Sequence, residues 1–534
     1  MPGKKMLAKA YAISLMGLAG TVVEVESEIS STLPGFILVG LPDASLSEAK
    51  DRVRAAIQNS SLKMPDRRVT VNLSPASVRK QGSSFDLAIA VSVMAAAGSL
   101  RADSVSQWIH IGELGLDGSV RRVAGILPAL LVAKAAGIEN AVVPSSNFAE
   151  ASLVDGMNIV PVDHFLQVAQ MHGSIAVGDV DAIPKMLPRT PEQSDELKDP
   201  NNFVNLDIAD VLGQEEAIEA LVVAAAGGHH LLMVGPPGAG KTMMAERLPS
   251  LLPDLKLDQA LETTAVVSIA GNRRISEGSL LFRPPFEAPH HTASVSSLVG
   301  GGLGMPRPGV ISLANHGVLF LDEAPEFQKP VLEALRQPLE SGEVVINRSA
   351  GTAKFPARFQ LVLAANPCPC GYAIGSGKSC RCSEQQRQKY LAKLSGPLLD
   401  RVDIRLQIES VSPAQMAIAR NKASGATTGS RQLRDCVAIA RQRAEARLAG
   451  TPWRTNSQVP GSYLRKHFPL STSVSERLEK ALDHGRISMR GYDRCLRVAW
   501  SVADLAGRDL PNEFDIAKAI FLRGSDDLAG VNNG

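Results

Sequence analysis

The chain alternates between two hydrophobic rhythms. Short apolar runs suited to strands occur at Val69 to Leu73, Trp108 to Ile111 and Asn140 to Pro144. Stretches with helical spacing lie among them, at Ala44 to Ser60, Phe85 to Ala97 and Leu127 to Ala136. Together they predict a mixed α/β unit over residues 1–173. Its start carries Lys4, Lys5 and an apolar stretch from Ala10 to Ala19, a pattern shared with signal peptides. That stretch leads into Thr21-Val-Val-Glu-Val-Glu26, which reads as a strand of a folded domain, so a cytoplasmic protein is expected. Residues 174–205 lose the rhythm: Pro184, Pro188, Pro191 and Pro200 sit among many charges, and the segment reads as a linker.

Over residues 206–410 strands and helices alternate again, which predicts a parallel sheet covered by helices. Beyond that only helical spacing remains, at Ala414 to Asn421, Gln432 to Ala449, Ser473 to Gly485, Asp493 to Ala506 and Phe514 to Phe521. Residues 411–534 are therefore expected to form a helical lid, with small polar residues from Asn421 to Ser430 as a loop.

Composition narrows the class without naming a job. The 534 residues suggest about three or four domains. Hydrophobic residues make up 45% and charged residues 21%, as in ordinary globular proteins. The formal net charge of +2 gives no whole-molecule attraction to nucleic acid or membrane, so any basic binding surface must be local. No apolar run reaches the roughly 18 residues of a membrane helix.

The motifs carry more. Leu231-Leu-Met-Val234 suits a buried strand and ends in Gly235-Pro236-Pro237-Gly238-Ala239-Gly240-Lys241-Thr242, with Met243 to Leu248 as the following helix. This is a phosphate-binding loop in the strand–loop–helix context it needs. Its glycines let backbone N–H groups face phosphate, and the helix start adds favourable partial charge. Residues 235–243 are thus expected to bind ATP, with Lys241 on the β- and γ-phosphates and Thr242 on Mg²⁺. A second apolar run, Val318 to Leu321, ends in Asp322-Glu323. Asp322 is expected to hold Mg²⁺ and Glu323 to activate the attacking water.

A third run, Gln360 to Ala365, ends at Asn366. A polar residue there resembles sensor 1 of AAA+ proteins. Leu398-Leu-Asp-Arg401-Val-Asp403 resembles the arginine-finger segment of that superfamily, which implies that Arg401 completes a neighbouring subunit's site. A plain salt bridge from Arg401 to Asp400 or Asp403 is the structural alternative. Ser488-Met-Arg490-Gly491 resembles sensor 2, with Arg490 as its phosphate contact and Arg494 as a competitor. A finger acting in trans requires a multi-subunit assembly, and a homo-hexamer is expected.

Long material separates Lys241 from Asp322, including Arg283 to Gly309, and Glu343 to Phe355 reads as a hairpin turning near Ser349 to Gly351. These resemble the helix 2 insert and pre-sensor-1 hairpin of the magnesium-chelatase branch of AAA+ proteins. Leu38-Val-Gly-Leu-Pro-Asp43-Ala, Val71-Asn-Leu-Ser-Pro-Ala76, Lys80-Gln-Gly-Ser-Ser-Phe-Asp86-Leu, Gly112-Glu-Leu-Gly-Leu-Asp117-Gly and Asn366-Pro-Cys-Pro-Cys370-Gly-Tyr are similar to the ComM (YifB) competence-protein family. The resemblance spans nearly the whole chain. It implies hexameric, ATP-driven branch migration of DNA in natural transformation. It also implies a Lon-protease-like amino-terminal domain, with Ser84 at the nucleophile's place. Val123 to Pro128 offers no lysine as base there, and Lys134 lies too far beyond Leu127, so a non-proteolytic module is expected.

Four of the six cysteines form Cys368-Pro-Cys370 and Cys380-Arg-Cys382, a set able to enclose a structural Zn²⁺. Arg307, Arg348 and Lys354 are expected to touch DNA phosphates, with solvated surface charge as the alternative. The adjacent pairs His229-His230 and His290-His291 lack helical ligand spacing and read as hydrogen-bonding residues. The alternatives to a DNA motor are a metal-insertion ATPase subunit and a protein-remodelling chaperone. No membrane partner is expected.

Overall fold

The computed structural model describes the chain except residues 1–5, 41–47, 79, 81, 175–205, 272–277, 303–305, 349–350, 374–379, 413, 416–428, 486 and 525–534. The expected linker, most of the expected helix at 414–421 and most of the loop at 421–430 lie outside the described residues.

The amino-terminal unit is a mixed sheet covered by helices. Its strands are β1 (Met6–Met16), β2 (Ala19–Ser30), β3 (Gly35–Val39), β4 (Arg68–Ser74), β5 (Ile109–His110), β6 (Asn140–Pro144) and β7 (Asn158–Val162). They lie in the order β3-β4-β2-β1-β5-β6-β7. The apolar start of the chain is thus the first strand of an antiparallel β1–β2 hairpin. Helices α1 (Ala49–Asn59), α2 (Asp86–Ala96), α3 (Ile126–Ala135) and α4 (Phe165–Met171) belong to the same unit. Every residue of α2 is buried, and apart from Asp86 and Ser92 its sequence is apolar all round, as burial on every side requires.

The second unit contains α5 (Glu215–Gly227), β8 (Leu231–Val234), α6 (Lys241–Leu251), α7 (Leu257–Ala270) and β9 (Phe286–Glu287). A small insert follows, made of α8 (Val295–Val299), β10 (Gly300–Gly301) and β11 (Arg307–Pro308). Then come β12 (Val318–Leu321), α9 (Arg336–Ser341), the hairpin β13 (Glu343–Arg348) and β14 (Gly351–Pro356), β15 (Gln360–Ala365), α10 (Glu384–Leu391) and β16 (Ile404–Gln407). The core sheet is five-stranded in the order β9-β12-β15-β8-β16, and each of its pairings is parallel. The residues of β8, β12 and β15 are all buried, as expected of strands covered on both faces.

The last unit is helical: α11 (Ser430–Arg447), α12 (Gly461–His467), α13 (Thr472–Asp483), α14 (Met489–Leu505) and α15 (Glu513–Arg523). Helix α12 has no counterpart in the sequence reading, because a short basic helix shows little apolar period. The lid shares one core with the sheet, joining Leu221, Met233 and Ile404 to Val437, Val498 and Ile516. Buried His229 ties them further, with Nδ1 2.9 Å from Asp403 Oδ2 and Nε2 2.7 Å from Ser501 Oγ.

The amino-terminal unit docks on the core at defined points. Gly125 N–H donates to Ser268 carbonyl oxygen at 3.1 Å, and Ser268 Oγ donates to buried Glu150. The β1–β2 turn lies against β14: Gly17 has φ +65, and a Cβ there would come within 2.5 Å of Lys354 carbonyl oxygen. Only glycine meets both demands.

Candidate functional site

Three parallel strands deliver the central residues to one edge of the sheet. Val234 is in register with Ala365, so Gly235 and Asn366 leave β8 and β15 side by side, and Leu321 is in register with Leu363, so Asp322 leaves β12 at the same end of the sheet, level with Ala364. Lys241, the first residue of α6, is largely buried. Its Nζ donates to Gly235 carbonyl oxygen at 2.6 Å, Pro236 carbonyl oxygen at 2.9 Å and Asn366 Oδ1 at 3.1 Å. Burial lowers its pKa, and the carboxylates of Asp322 and Glu323 oppose that shift. Gly238 and Gly240 adopt φ +76 and +86, which the turn into the helix requires.

Thr242 Oγ1 donates to Asp322 Oδ2 at 2.7 Å. A hydroxyl and a carboxylate this close offer the paired oxygen donors that suit Mg²⁺. Glu323 follows with φ 49, a left-handed conformation that costs a non-glycine residue about 1–2 kcal/mol. Its N–H donates to Asp322 Oδ1 at 2.9 Å, and its Oε2 lies 3.7 Å from His291 Nδ1. Sequence reasoning assigned His291 no role at this site. The available signal was its place just beyond β9, the strand that pairs with β12.

The arginines stand elsewhere. Leu231, the first residue of β8, is in register with Ile404, the first residue of β16. Arg401 precedes β16, so it lies at the sheet edge opposite the Gly235–Gly240 loop, a strand's length of about 13 Å away. Its partners are Glu340 and the Pro397 carbonyl oxygen, not the Asp400 or Asp403 considered as the structural alternative. Arg490 is exposed and paired with Asp400, which brings it to the same edge. The structure therefore does not bring Arg490 to its own chain's Lys241. Burial, then the charges of Arg336 and Arg490, lower the pKa of Arg401. Arg336, also missed in the sequence, thus belongs to this group. Its Nη1 lies 2.6 Å from Glu333 Oε2. Arg494 turns inward to Val402 carbonyl oxygen at 3.2 Å and Asp403 at 3.4 Å, and burial lowers its pKa to about 10.

The cysteines close up beside the Gly235–Gly240 loop. Cys368 Sγ lies 3.3 Å from Cys370 Sγ and 3.7 Å from Cys380 Sγ, and all four thiols fall within 4.8 Å of one another. Tetrahedral zinc with bonds of about 2.3 Å sets its sulfurs about 3.8 Å apart, so the donor set fits that ion. Backbone N–H groups of Tyr372 and Arg381 draw the Cys370 thiol down to about 6, toward the thiolate a metal needs. Gly371, with φ +85, packs against the loop itself: a Cβ there would meet Pro237 Cδ at 2.5 Å.

Two of the three expected DNA contacts converge. Gly301 pairs with Arg307 across β10–β11, and a Cβ on Gly301 would lie 3.1 Å from Arg348 Nη2. Arg307, Arg348 and Lys354 are all exposed. In the amino-terminal unit, Ser84 lies between Ser83, bonded to Glu113, and Asp86, bonded to Arg52. Lys134 Nζ donates to Asp155 carbonyl oxygen.

Comparison with known proteins gives the family. Models described as magnesium chelatase, subunit ChlI, subunit ChlI of Mg-chelatase, and magnesium chelatase, subunit ChlI C-terminal, match residues 207–416, 25–147 and 427–523. The chain is 40% identical to competence protein ComM of Haemophilus influenzae, over 97% of both chains. The chain belongs to the ComM/YifB family of magnesium-chelatase-like AAA+ proteins. It is also 36% identical to YifB of Escherichia coli over 98% of both chains. An uncharacterized protein of Mycobacterium tuberculosis, Rv2897c, is 47% identical over 97% of this chain and 98% of its own. The match to ComM and YifB thus runs through the amino-terminal unit as well. No helix among the described residues is long and apolar enough to cross a membrane.

Proposed function

We propose that the chain is an ATPase that works as a homo-hexamer and moves DNA, as a branch-migration helicase in natural transformation or recombination. One observation carries the reading. Lys241, Thr242, Asp322 and Asn366 converge at one sheet edge, while Arg401 and Arg490 stand at the other. A site divided in this way is complete only between two copies.

In that site the backbone N–H groups of residues 235–241 cradle the phosphates, and Lys241 exchanges its carbonyl and Asn366 partners for phosphate oxygens. Thr242 and Asp322 would hold Mg²⁺, which neutralises charge on the β- and γ-phosphates. Glu323 takes the proton of the attacking water, and Asn366 orients the γ-phosphate. Arg401 and Arg490 of the next copy stabilise charge developing in the transition state. The four cysteines would hold a structural Zn²⁺ that stiffens the loop between Asn366 and α10. The basic surface of Arg307 and Arg348, with Lys354 on the same hairpin, grips phosphates without regard to sequence.

The amino-terminal unit serves as a non-proteolytic module that braces β14 and α7. The relative from H. influenzae is called a competence protein, which favours DNA over a porphyrin or a protein substrate. The test is ATP hydrolysis with and without forked or four-way DNA, beside a Lys241→Ala control. DNA should raise the wild-type rate. No retention of DNA and no stimulation would refute the motor.

A further inference from the structure

We propose that a cavity between core and lid is a second ligand site, which takes a nucleoside monophosphate with its phosphate on Arg441 and Arg497 and its base against Trp453. The proposal is independent of ATP hydrolysis and of DNA movement.

The cavity holds about 880 Å³, within the roughly 300–1,000 Å³ usual for small-molecule sites. His230, Gly317 and Phe359 line it, and they directly precede β8, β12 and β15. It therefore opens at the end of the sheet away from the Gly235–Gly240 loop. One wall is the turn from α5 into β8. Arg441 of α11 donates to Ala225 carbonyl oxygen, at 3.0 Å from Nε and 2.7 Å from Nη2. Gly228 has φ +69, and a Cβ there would lie 3.2 Å from both Thr455 Oγ1 and Ser457 Oγ, so the segment after Trp453 closes on the same turn. His230 Nδ1 accepts from Leu361 N–H at 3.0 Å. Burial lowers the pKa of His230 to about 4, and the charges of Arg494 and Arg497 add to that shift against Asp403. Arg441, Trp453 and Arg497 thus gather round one turn, while Arg358, between β14 and β15, lines the core side.

Charge decides the ligand. Seven Lys and Arg side chains line the cavity against six Asp and Glu. Four pairs cancel: Lys256 with Glu445, Arg454 with Asp258, Arg401 with Glu340 and Arg494 with Asp403. Asp254 is matched by Arg283, which does not line the cavity. Glu262, bonded to Asn315 and His316, is then the one lining carboxylate without a Lys or Arg partner among the described residues. Against it stand Arg358, Arg441 and Arg497, a surplus of two charges. Arg441 meets only a carbonyl oxygen, and Arg497 Nε is buried with no partner. A buried donor without an acceptor is costly, and a ligand oxygen relieves it. A phosphomonoester carries about −1.5 to −2 at neutral pH, which balances the surplus. Planar guanidinium forks match its oxygens, and an aromatic face such as that of Trp453 stacks any base. A 5′-phosphorylated DNA end presents the same chemistry, so the test separates the two sources.

The test is isothermal titration calorimetry with AMP, on the wild-type chain and on Lys241→Ala, which removes phosphate binding at the Gly235–Gly240 loop. AMP should bind both, near one per chain. Arg497→Met keeps the stem without the charge and should weaken AMP by about tenfold or more. Trp453→Leu and the exposed Arg358→Ala should each weaken it severalfold. Because the ligand joins core to lid, AMP should raise the thermal unfolding midpoint of the wild type and leave that of Arg497→Met unmoved. A 5′-phosphorylated oligonucleotide that displaces AMP, where its unphosphorylated counterpart does not, assigns the strand end as the source. AMP binding indifferent to both assigns the free nucleotide. Loss of AMP binding in Lys241→Ala means that AMP occupied the ATP loop, and overturns the proposal. So does wild-type affinity in Arg497→Met or, should that chain fail to fold, in both Arg358→Ala and Trp453→Leu. Inorganic phosphate bound as tightly as AMP overturns the nucleotide class. None of these readings involves hydrolysis or DNA stimulation, so failure of the motor leaves them standing.

Discussion

Arg490, near the start of a lid helix, is ion-paired with Asp400, the residue just before Arg401. Lid and core therefore present their arginines as one surface, at the sheet edge away from Lys241. A lid rotation against the core would have to break this pair.

Arg401→Ala should lower ATP hydrolysis by about 1000-fold, the ordinary worth of an arginine finger, with Arg490→Ala also impaired. If the arginines act in trans, mixing Arg401→Ala with Lys241→Ala chains restores part of the activity, because some interfaces then hold one intact half from each. Rates of mixed and separate preparations decide it. A mixture as inactive as its components would place the finger in its own chain's site, or in none.

Replacing Arg348 and Lys354 together by alanine should weaken DNA binding. It should also flatten the dependence of log affinity on log salt by about 1.5 to 2, the counterion release of two phosphate contacts. Fluorescence anisotropy across a salt series measures both. An unchanged slope would mean that these are solvated surface charges.

Protein purified reduced and without chelator should carry stoichiometric zinc, and Cys370→Ser should lose it. Because Gly371 abuts Pro237, loss of the metal should also raise KM for ATP. Elemental analysis alongside steady-state kinetics checks the two effects separately. Zinc-free wild-type protein with an ordinary KM would end the idea.

The amino-terminal unit should weaken in acid through a buried histidine pair. His110 Nε2 and His172 Nε2 lie 3.0 Å apart, and burial, assisted by Arg101, lowers the pKa of His172 to about 4. The folded chain then binds fewer protons than the unfolded one between pH 4 and 6.5. Stability from this group is fully present above about 6.5 and is lost as the pH falls toward 4, by up to about 3 kcal/mol. His172→Asn should flatten that slope in denaturant unfolding measured from pH 7 to 4.5. Parallel slopes for variant and wild type would show that His172 is not the cause.

Local patterns in the sequence determined the elements and most of the chemistry near the nucleotide. Leu231 to Thr242 and Val318 to Glu323 were legible because a buried parallel strand is continuously apolar and its polar exit interrupts it sharply. The tight spacing of Cys368, Cys370, Cys380 and Cys382 was equally plain, since thiols so near in sequence have few ways to stay apart. Helix α11 was expected over Gln432 to Ala449 and spans Ser430–Arg447. Only the tertiary structure decided relations between distant segments. Arg490 joins Asp400 across 90 residues, Arg348 lies over Gly301, and His291 Nδ1 comes within 3.7 Å of Glu323 Oε2. Periodicity reports which face of an element is buried, not which element lies opposite. Strand order and lid docking choose those partners, and both arise from packing over the whole fold.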